Sequence, residues 1–311
     1  MQTQLQQPEP AANGALPRVT KQMNVMARLR RKLKKSRRSV MLAPAGEITL
    51  TEPPIFLIGV HRSGTTLLRL ILDSHSRIAC PTESIFLLPL STMWHDRKAL
   101  AGLHAMGFDD EHVLAKLREF SSYYFSRYAA ARQKQRWADK SPHYIDCLDF
   151  IERLYGPQCQ YVFIYRHGLD VACSVGEKVI RQAETMKQAC GDPYVGGARY
   201  WAEQCRKMLA FQRQHQQRVF ELRYEALVEH PEKTCRALLD FLGEPWEAQM
   251  LQFYKHEHTT GHGLEDPLAA SSRGFMPSLG NYRKLPEAIL ARMRAEAGEV
   301  LKELGYDDNL G

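Results

Sequence analysis

The sequence predicts an α/β fold in three layers, with a central, mostly parallel sheet flanked by helices. Three observations carry that prediction. A glycine-framed turn, Gly59-Val60-His61-Arg62-Ser63-Gly64, stands between the apolar run Ile55-Phe56-Leu57-Ile58 and a segment of helical periodicity, the strand-turn-helix order of a phosphate-binding loop. The runs Tyr161–Tyr165 and Val219–Tyr224 are short and rich in apolar and β-branched residues, as strands buried on both faces must be. Helical stretches such as Tyr144–Tyr155 lie between them, which is the alternation of a parallel sheet.

Taken in order, the first strand is Ile55–Val60. A helix over Thr66–Ser74 follows, with Leu67, Leu68, Ile71 and Leu72 on one face. Ile78-Ala79-Cys80 reads as a short β-like run. Pro231 opens a helix through Leu238, Leu239 and Leu242, and Gly243 closes it. Pro286 opens the last helix, whose apolar face holds Ile289, Leu290, Met293, Ala297, Val300, Leu301 and Leu304, with Gly305 as its C-cap. The polar segments Ala183–Gly197 and His256–Arg273 are the expected loops, which in such sheets rim the ligand crevice at the strands' carboxyl ends.

The turn itself specifies its ligand class. Glycines let the backbone close on an oxyanion, and the following helix presents its N–H groups and the positive end of its dipole. The spacing Gly59-x-x-x-x-Gly64 is that of a nucleoside-triphosphate loop, but Thr65 and Thr66 follow where a lysine would reach the β and γ phosphates. The cation of this turn is Arg62, inside it, a planar fork suited to a single phosphate or sulfate group.

From Pro53 to Thr66 this segment resembles the 5′-phosphosulfate loop of sulfotransferases that use 3′-phosphoadenosine-5′-phosphosulfate (PAPS). A second segment, Tyr161-Val162-Phe163-Ile164-Tyr165-Arg166-His167-Gly168-Leu169-Asp170-Val171-Ala172-Cys173-Ser174, is similar to the family's 3′-phosphate motif, a strand ending in Arg with Ser eight residues on. Leu222-Arg223-Tyr224-Glu225-Ala226-Leu227 looks like the family's strand-Tyr-Glu-x-Leu segment, and Gly280-Asn281-Tyr282-Arg283-Lys284 faintly resembles its C-terminal donor-binding loop. The resemblance spans roughly residues 50 to 305. It is nearest the branch of tyrosylprotein sulfotransferases and bacterial relatives, through Arg62-Ser63-Gly64-Thr65-Thr66-Leu67 and Cys80-Pro81-Thr82-Glu83-Ser84.

The resemblance implies roles. Arg62, the N–H groups from Ser63 through Gly64 to Thr66, and the hydroxyls of Thr65 and Thr66 would hold the 5′-phosphosulfate. Arg166 and Ser174 would read the 3′-phosphate, and Tyr224 would pack near the donor. Glu83 aligns with the catalytic Glu of the tyrosylprotein branch and would act as general base; its rival reading is an exposed or N-capping acid. Lys140, in Ala138-Asp139-Lys140-Ser141-Pro142, resembles that branch's catalytic Lys and would stabilise charge on the bridging oxygen, against the reading of a solvated Lys after a strand. His143 is the alternative base, since the cytosolic branch uses His in that role, and His61 could touch donor or acceptor. Tyr123, Tyr124, Phe125, Tyr128 and Trp201 line an acceptor pocket or form helical core. The expected donor is PAPS, with no metal, because positioning and charge stabilisation carry most of such a transfer. The acceptor is a hydroxyl on a small molecule, glycan, lipid or peptide tyrosine. Two other classes remain, a phosphate-loop nucleotide kinase and a non-catalytic nucleotide-binding protein recruited by a basic arm.

That arm is residues 1–45, expected to lack fixed structure, ahead of a sulfotransferase domain at 46–311. Residues 1–40 carry ten Lys or Arg, from Arg18 to Arg38, and one acid, Glu9; the whole 311-residue chain is only +7. The domain proper is therefore slightly acidic, and the basic charge belongs to the arm. Residues 18–38 read as a solvated arm or as an anionic-surface contact, with no stable nucleic-acid partner expected. The longest apolar runs, Ile55–Val60 and Ile85–Leu90, fall far short of the roughly 20 residues that cross a bilayer. Seven cysteines without a Cys-x-x-Cys pair, and a start at Met1-Gln2-Thr3 without a signal-anchor pattern, lead to an expected cytoplasmic location, peripheral to a membrane if the arm docks there.

Overall fold

The computed structural model describes residues 52–181, 191–259 and 273–306. The basic arm, most of the loop expected at 256–273 and part of that at 183–197 lie outside the described residues. The chain begins with strand β1 (Ile55–Ile58), the glycine turn and helix α1 (Thr65–Asp73), then the two-residue strand β2 (Ile78–Ala79). Helices α2 (Leu87–His95), α3 (Arg97–Ala105) and α4 (Asp110–Ala130) lead to β3 (Arg136–Lys140). A 3₁₀ turn at Pro142–Cys147 runs into α5 (Leu148–Tyr155), followed by β4 (Gln160–Tyr165), α6 (Gly168–Arg181) and α7 (Pro193–Gln214). Strand β5 (Val219–Arg223), α8 (Tyr224–Glu229), α9 (Pro231–Leu242) and α10 (Glu287–Glu303) follow, with short 3₁₀ turns between some of these elements.

The strands form one sheet in the order β2-β3-β1-β4-β5, and every pairing is parallel. Because side chains alternate across a strand, successive residues feed two cores. Phe56, Ile58, Trp137, Tyr161, Phe163 and Tyr165 face one side with α4, α5, α6, α7 and α10. Ile55, Leu57, Ala138, Val162, Ile164 and Leu222 face the other with α1, α8 and α9. Double coverage requires the strands to be apolar on both faces, and β1 and the interior of β4 are fully buried.

Strand β3 departs from that rule. Arg-Trp-Ala-Asp-Lys is buried at every residue, and its charges are matched by partners far along the chain. Arg136 donates to the carbonyls of Pro53 and Leu242 and to Glu244 Oε1 at 3.2 Å.

Several boundaries differ from the sequence expectations. The 144–155 helix is a 3₁₀ turn followed by α5, since Pro142 at the turn's start withholds an N–H and Cys147, at φ −136°, breaks helical geometry between the two. Residues 193–197, expected in a loop, open α7, because Asp192 caps it by accepting from Tyr194 N and Val195 N while Pro193 occupies the first turn. Tyr224 begins α8 instead of ending β5. Gly243 caps α9 in the left-handed region at φ +72°, as its position predicts.

Candidate active site

With all strands parallel, their carboxyl ends lie along one edge, where open α/β sheets bind ligands. In sheet order, that edge carries the segment with Glu83 after β2, Lys140 closing β3, the glycine turn after β1, Arg166 after β4 and Tyr224 after β5. Lys140 is also the register partner of Leu57, two residues before the turn. Sequence positions 57 to 224 thereby become neighbours along one rim.

The turn is shaped around two glycines. Gly64 sits at φ +90°, and a Cβ there would lie 2.4 Å from Tyr224 Cδ2. A Cβ on Gly59 would lie 2.8 Å from the carbonyl oxygen of Ile164 in β4. Arg62 takes φ +72°, a left-handed conformation uncommon outside glycine and concentrated at functional turns. Ser63 N donates to Val60 O at 3.0 Å, tightening the turn, and Leu68 N to Gly64 O at 3.1 Å starts the helix. Ser63 is fully buried and its Oγ has no partner.

Arg166 ties the rim together. Its Nη1 donates to Arg62 O at 2.8 Å, its Nη2 to Ser278 O, and its guanidinium lies 4.7 Å from the Tyr224 ring. Arg62 Nε donates to Ser174 Oγ at 2.8 Å. Arg62, Arg166, Ser174 and Tyr224, which the sequence divided between two phosphates, thus converge between β1 and β4. Asp170, one turn into α6, accepts from Gly280 N at 2.8 Å and Asn281 N at 2.7 Å, which brings the Gly280–Lys284 segment to the same crevice.

On the other side of the turn, Lys140 Nζ donates to Glu83 Oε1 at 2.7 Å, with the two side chains 0% and 4% exposed. The readings of an exposed Glu83 and a solvated Lys140 are therefore corrected: a buried charge persists only when paired, and each is the other's partner. Phe86, not Glu83, precedes the first turn of α2. Glu83 Oε2 is buried without a partner.

His61 and His143 also meet here, with ring centroids 4.6 Å apart in an edge-on arrangement. His61 Nδ1 shares a 2.7 Å hydrogen bond with Tyr200 OH. Burial, followed by repulsion from His143, lowers the His61 pKa to about 4, with Glu83 pulling the other way, so this imidazole is neutral at physiological pH. Of the aromatic residues expected either in a pocket or in core, Phe125 and Trp201 are core. Phe125 stacks on Trp137 at 4.4 Å, and Trp201 fills the space a Cβ on Gly168 would take. Tyr128 bonds Thr259 Oγ1 at 3.0 Å, and Tyr124 stands half-exposed beside Phe86.

The sequence reading missed Asp139. It is fully buried, and its Oδ2 accepts from Ser84 Oγ at 2.7 Å and Tyr144 OH at 2.9 Å while Oδ1 has no partner. Burial pushes its carboxyl up to about 6, against the Ser84, Tyr144 and Lys140 N–H hydrogen bonds and the Lys140 charge, which lower it. Between the ordinary carboxyl range near pH 4 and this raised value, the folded protein holds a proton that the unfolded chain has released. Stability from this group accordingly falls as pH rises through that window, and roughly two units at 1.36 kcal/mol each come to about 3 kcal/mol. Asp139→Asn abolishes the titration. Its stability relative to wild type, measured by urea unfolding, should therefore be more favourable near neutral pH than near pH 4 by an amount of that order. An identical difference at both pH values would show that Asp139 ionises normally.

Residues 53–248 match the model of the sulfotransferase family. The chain belongs to the sulfotransferase family. The matched stretch contains the phosphate turn, Glu83, Asp139, Lys140, Arg166, Ser174 and Tyr224. Among relatives of this sulfotransferase-family chain, an uncharacterized protein of Aquifex aeolicus is 31% identical over 214 residues, 65% of this chain and 27% of that protein. Protein-tyrosine sulfotransferase A of Caenorhabditis elegans is 26% identical over 273 residues, 83% of this chain and 68% of that protein. The chain thus spans about a quarter of the first and two-thirds of the second. The fold is that of the sulfotransferase domain of the Synechococcus PCC 7002 olefin synthase, with a TM-score of 0.57 at 23% identity, covering 86% of this chain and 99% of that domain. Among the described residues, no helix is long and apolar enough to cross a membrane, and no group of three or more His, Cys, Asp or Glu could hold a metal ion.

Proposed function

We propose that the protein transfers the sulfuryl group of PAPS to a hydroxyl acceptor by in-line displacement, with Glu83 as general base. The observation that carries this reading is the buried Glu83–Lys140 ion pair, beside the phosphate turn on the carboxyl edge of the sheet. The acceptor oxygen bonds to sulfur as Glu83 takes its proton, and the bond from sulfur to the bridging oxygen breaks, leaving 3′,5′-bisphosphoadenosine. Lys140 neutralises the charge growing on that bridging oxygen. Arg62, Ser63, Gly64, Thr65 and Thr66 hold the 5′-phosphosulfate, and Arg166 and Ser174, beside Tyr224, take the 3′-phosphate. Orphaned polar atoms at Ser63 Oγ and Glu83 Oε2 fit a site completed by ligand, because buried polar groups otherwise find partners. A tyrosine side chain is among the candidate acceptors, in keeping with the names of relatives such as the nematode protein-tyrosine sulfotransferase.

The test incubates the protein with ³⁵S-labelled PAPS and a panel of tyrosine peptides, phenols, glycans and host metabolites, with and without EDTA. Label should move to a hydroxyl with release of the bisphosphate, and EDTA should leave the rate unchanged, since side-chain and backbone donors provide the charge that a metal provides in kinases. Phosphoryl transfer from magnesium-ATP in parallel assays would return the kinase reading, which Thr65 in the lysine position disfavours. Tight binding of the bisphosphate with no transfer to any member would favour a binding protein.

A further inference from the structure

We propose that Ser84, Asp139 and Tyr144 form a latch that positions Glu83 against Lys140. This rests on the assignment of Glu83 as base and adds three positioning residues to it. The sheet ladder does little to hold the Glu83 segment: β2 is only Ile78–Ala79, with register pairs Ile78↔Arg136 and Ala79↔Trp137. Beyond Ala79, the clasp comes from side chains. Consecutive residues of β3, Asp139 and Lys140, grip consecutive residues of the segment, Ser84 and Glu83. Neighbouring residues on a strand leave it in opposite directions, so the two bonds hold the segment at two separate points.

The next residue shows that the segment is held away from its own preference. Ile85 takes φ +59°, and a β-branched residue in the left-handed region persists only where the surroundings over-determine it. The third member closes a ring: Tyr144 OH lies 2.8 Å from Ser84 Oγ and 2.9 Å from Asp139 Oδ2. Tyr144 belongs to the 3₁₀ turn that also carries His143, so the latch joins three site-bearing segments. Among the described residues, no cationic side chain is bonded to the Asp139 carboxylate, and the groups acting on it are Ser84, Tyr144, and the N–H and charge of Lys140. A buried carboxylate without a bonded cation is an expensive way to fill a core, which fits a group retained for placement.

The experiment follows the Glu83 carboxyl carbon by NMR in the full chain labelled with ¹³C-glutamate, the signal being assigned by its loss in Glu83→Gln. In Ser84→Ala, and in the milder Tyr144→Phe, the chemical shift of that carbon at neutral pH should move away from its wild-type value, because a carboxylate allowed to leave its ammonium loses a charge-assisted hydrogen bond. Ser84→Thr keeps the hydroxyl and should restore the wild-type chemical shift. With an acceptor from the panel, Ser84→Ala should lower kcat by about 10–100-fold, as a displacement of about 1 Å does, while affinity for the bisphosphate stays near wild type. Added to Glu83→Gln, Ser84→Ala should cause no further loss. An unchanged chemical shift in both Ser84→Ala and Tyr144→Phe overturns the latch, as does an equal loss of rate in the wild-type and Glu83→Gln backgrounds. Normal turnover by Glu83→Gln removes the base itself, and the latch with it as a catalytic device, whatever the chemical shifts show.

Discussion

Glu83→Gln should yield a folded protein that binds 3′,5′-bisphosphoadenosine as wild type does and turns over about 10²–10⁴-fold more slowly. The amide preserves shape and the hydrogen bond from Lys140 Nζ, now 2.7 Å to a carboxylate oxygen, but it cannot take a proton. The nucleotide contacts proposed above come from other segments, the glycine turn and the groups around Arg166, so kcat should fall without loss of donor affinity. His143→Asn is the comparison. His143 packs edge-on against the neutral His61, while Glu83 is the group bonded to the lysine of the site. A small effect of His143→Asn is therefore expected. Normal turnover in Glu83→Gln together with an inactive, nucleotide-binding His143→Asn would move the base to His143.

Arg166→Ala should weaken binding of 3′-phosphorylated adenosine nucleotides by about 1.5–3 kcal/mol, the range for a hydrogen bond to a charged group, and should shrink the preference for them over plain adenosine nucleotides. The second half of that expectation is the decisive one. Arg166 also braces the protein, through Arg62 O and Ser278 O, so its loss loosens the glycine turn and weakens every nucleotide alike. Calorimetry on paired ligands separates the two effects, since bracing alone leaves their ratio unchanged. An undiminished ratio would make Arg166 a brace only. Ser174→Ala should do the same more weakly, its hydroxyl being neutral and already accepting from Arg62 Nε.

Much of the scaffold was legible because its signals are local. Gly59 and Gly64 announce a turn that closes on backbone and on Tyr224, and β1 and β4 read as buried strands because nothing polar interrupts them. Helix α9 is bounded by Pro231 and Gly243, and α10 starts after Pro286 and ends at the C-cap Leu304, one residue before Gly305 at φ +67°. Strand β3 was harder, since Arg136, Asp139 and Lys140 look solvated until their partners are known. The start of α7 reads as loop in the sequence because Asp192-Pro193 serves equally as a turn signal and as a helix cap.

The sequence by itself determined the family-bearing motifs and the residue types of the rim: the glycine turn with Arg62, Glu83, Lys140, Arg166, Ser174 and Tyr224. Their chemistry follows from short-range rules, the period of a strand or helix and the geometry of a tight turn, which a few consecutive residues suffice to satisfy. Only the tertiary structure decided which of them meet. Glu83 finds Lys140 across 57 positions, Arg62 finds Ser174 across 112 and His61 finds Tyr200 across 139. Those encounters depend on a strand order, β2-β3-β1-β4-β5, in which β3 is inserted beside β1 and the carboxyl ends fall into line. The order is fixed by how the helices cover both faces of the sheet, an energy summed over the whole core and written in no single segment.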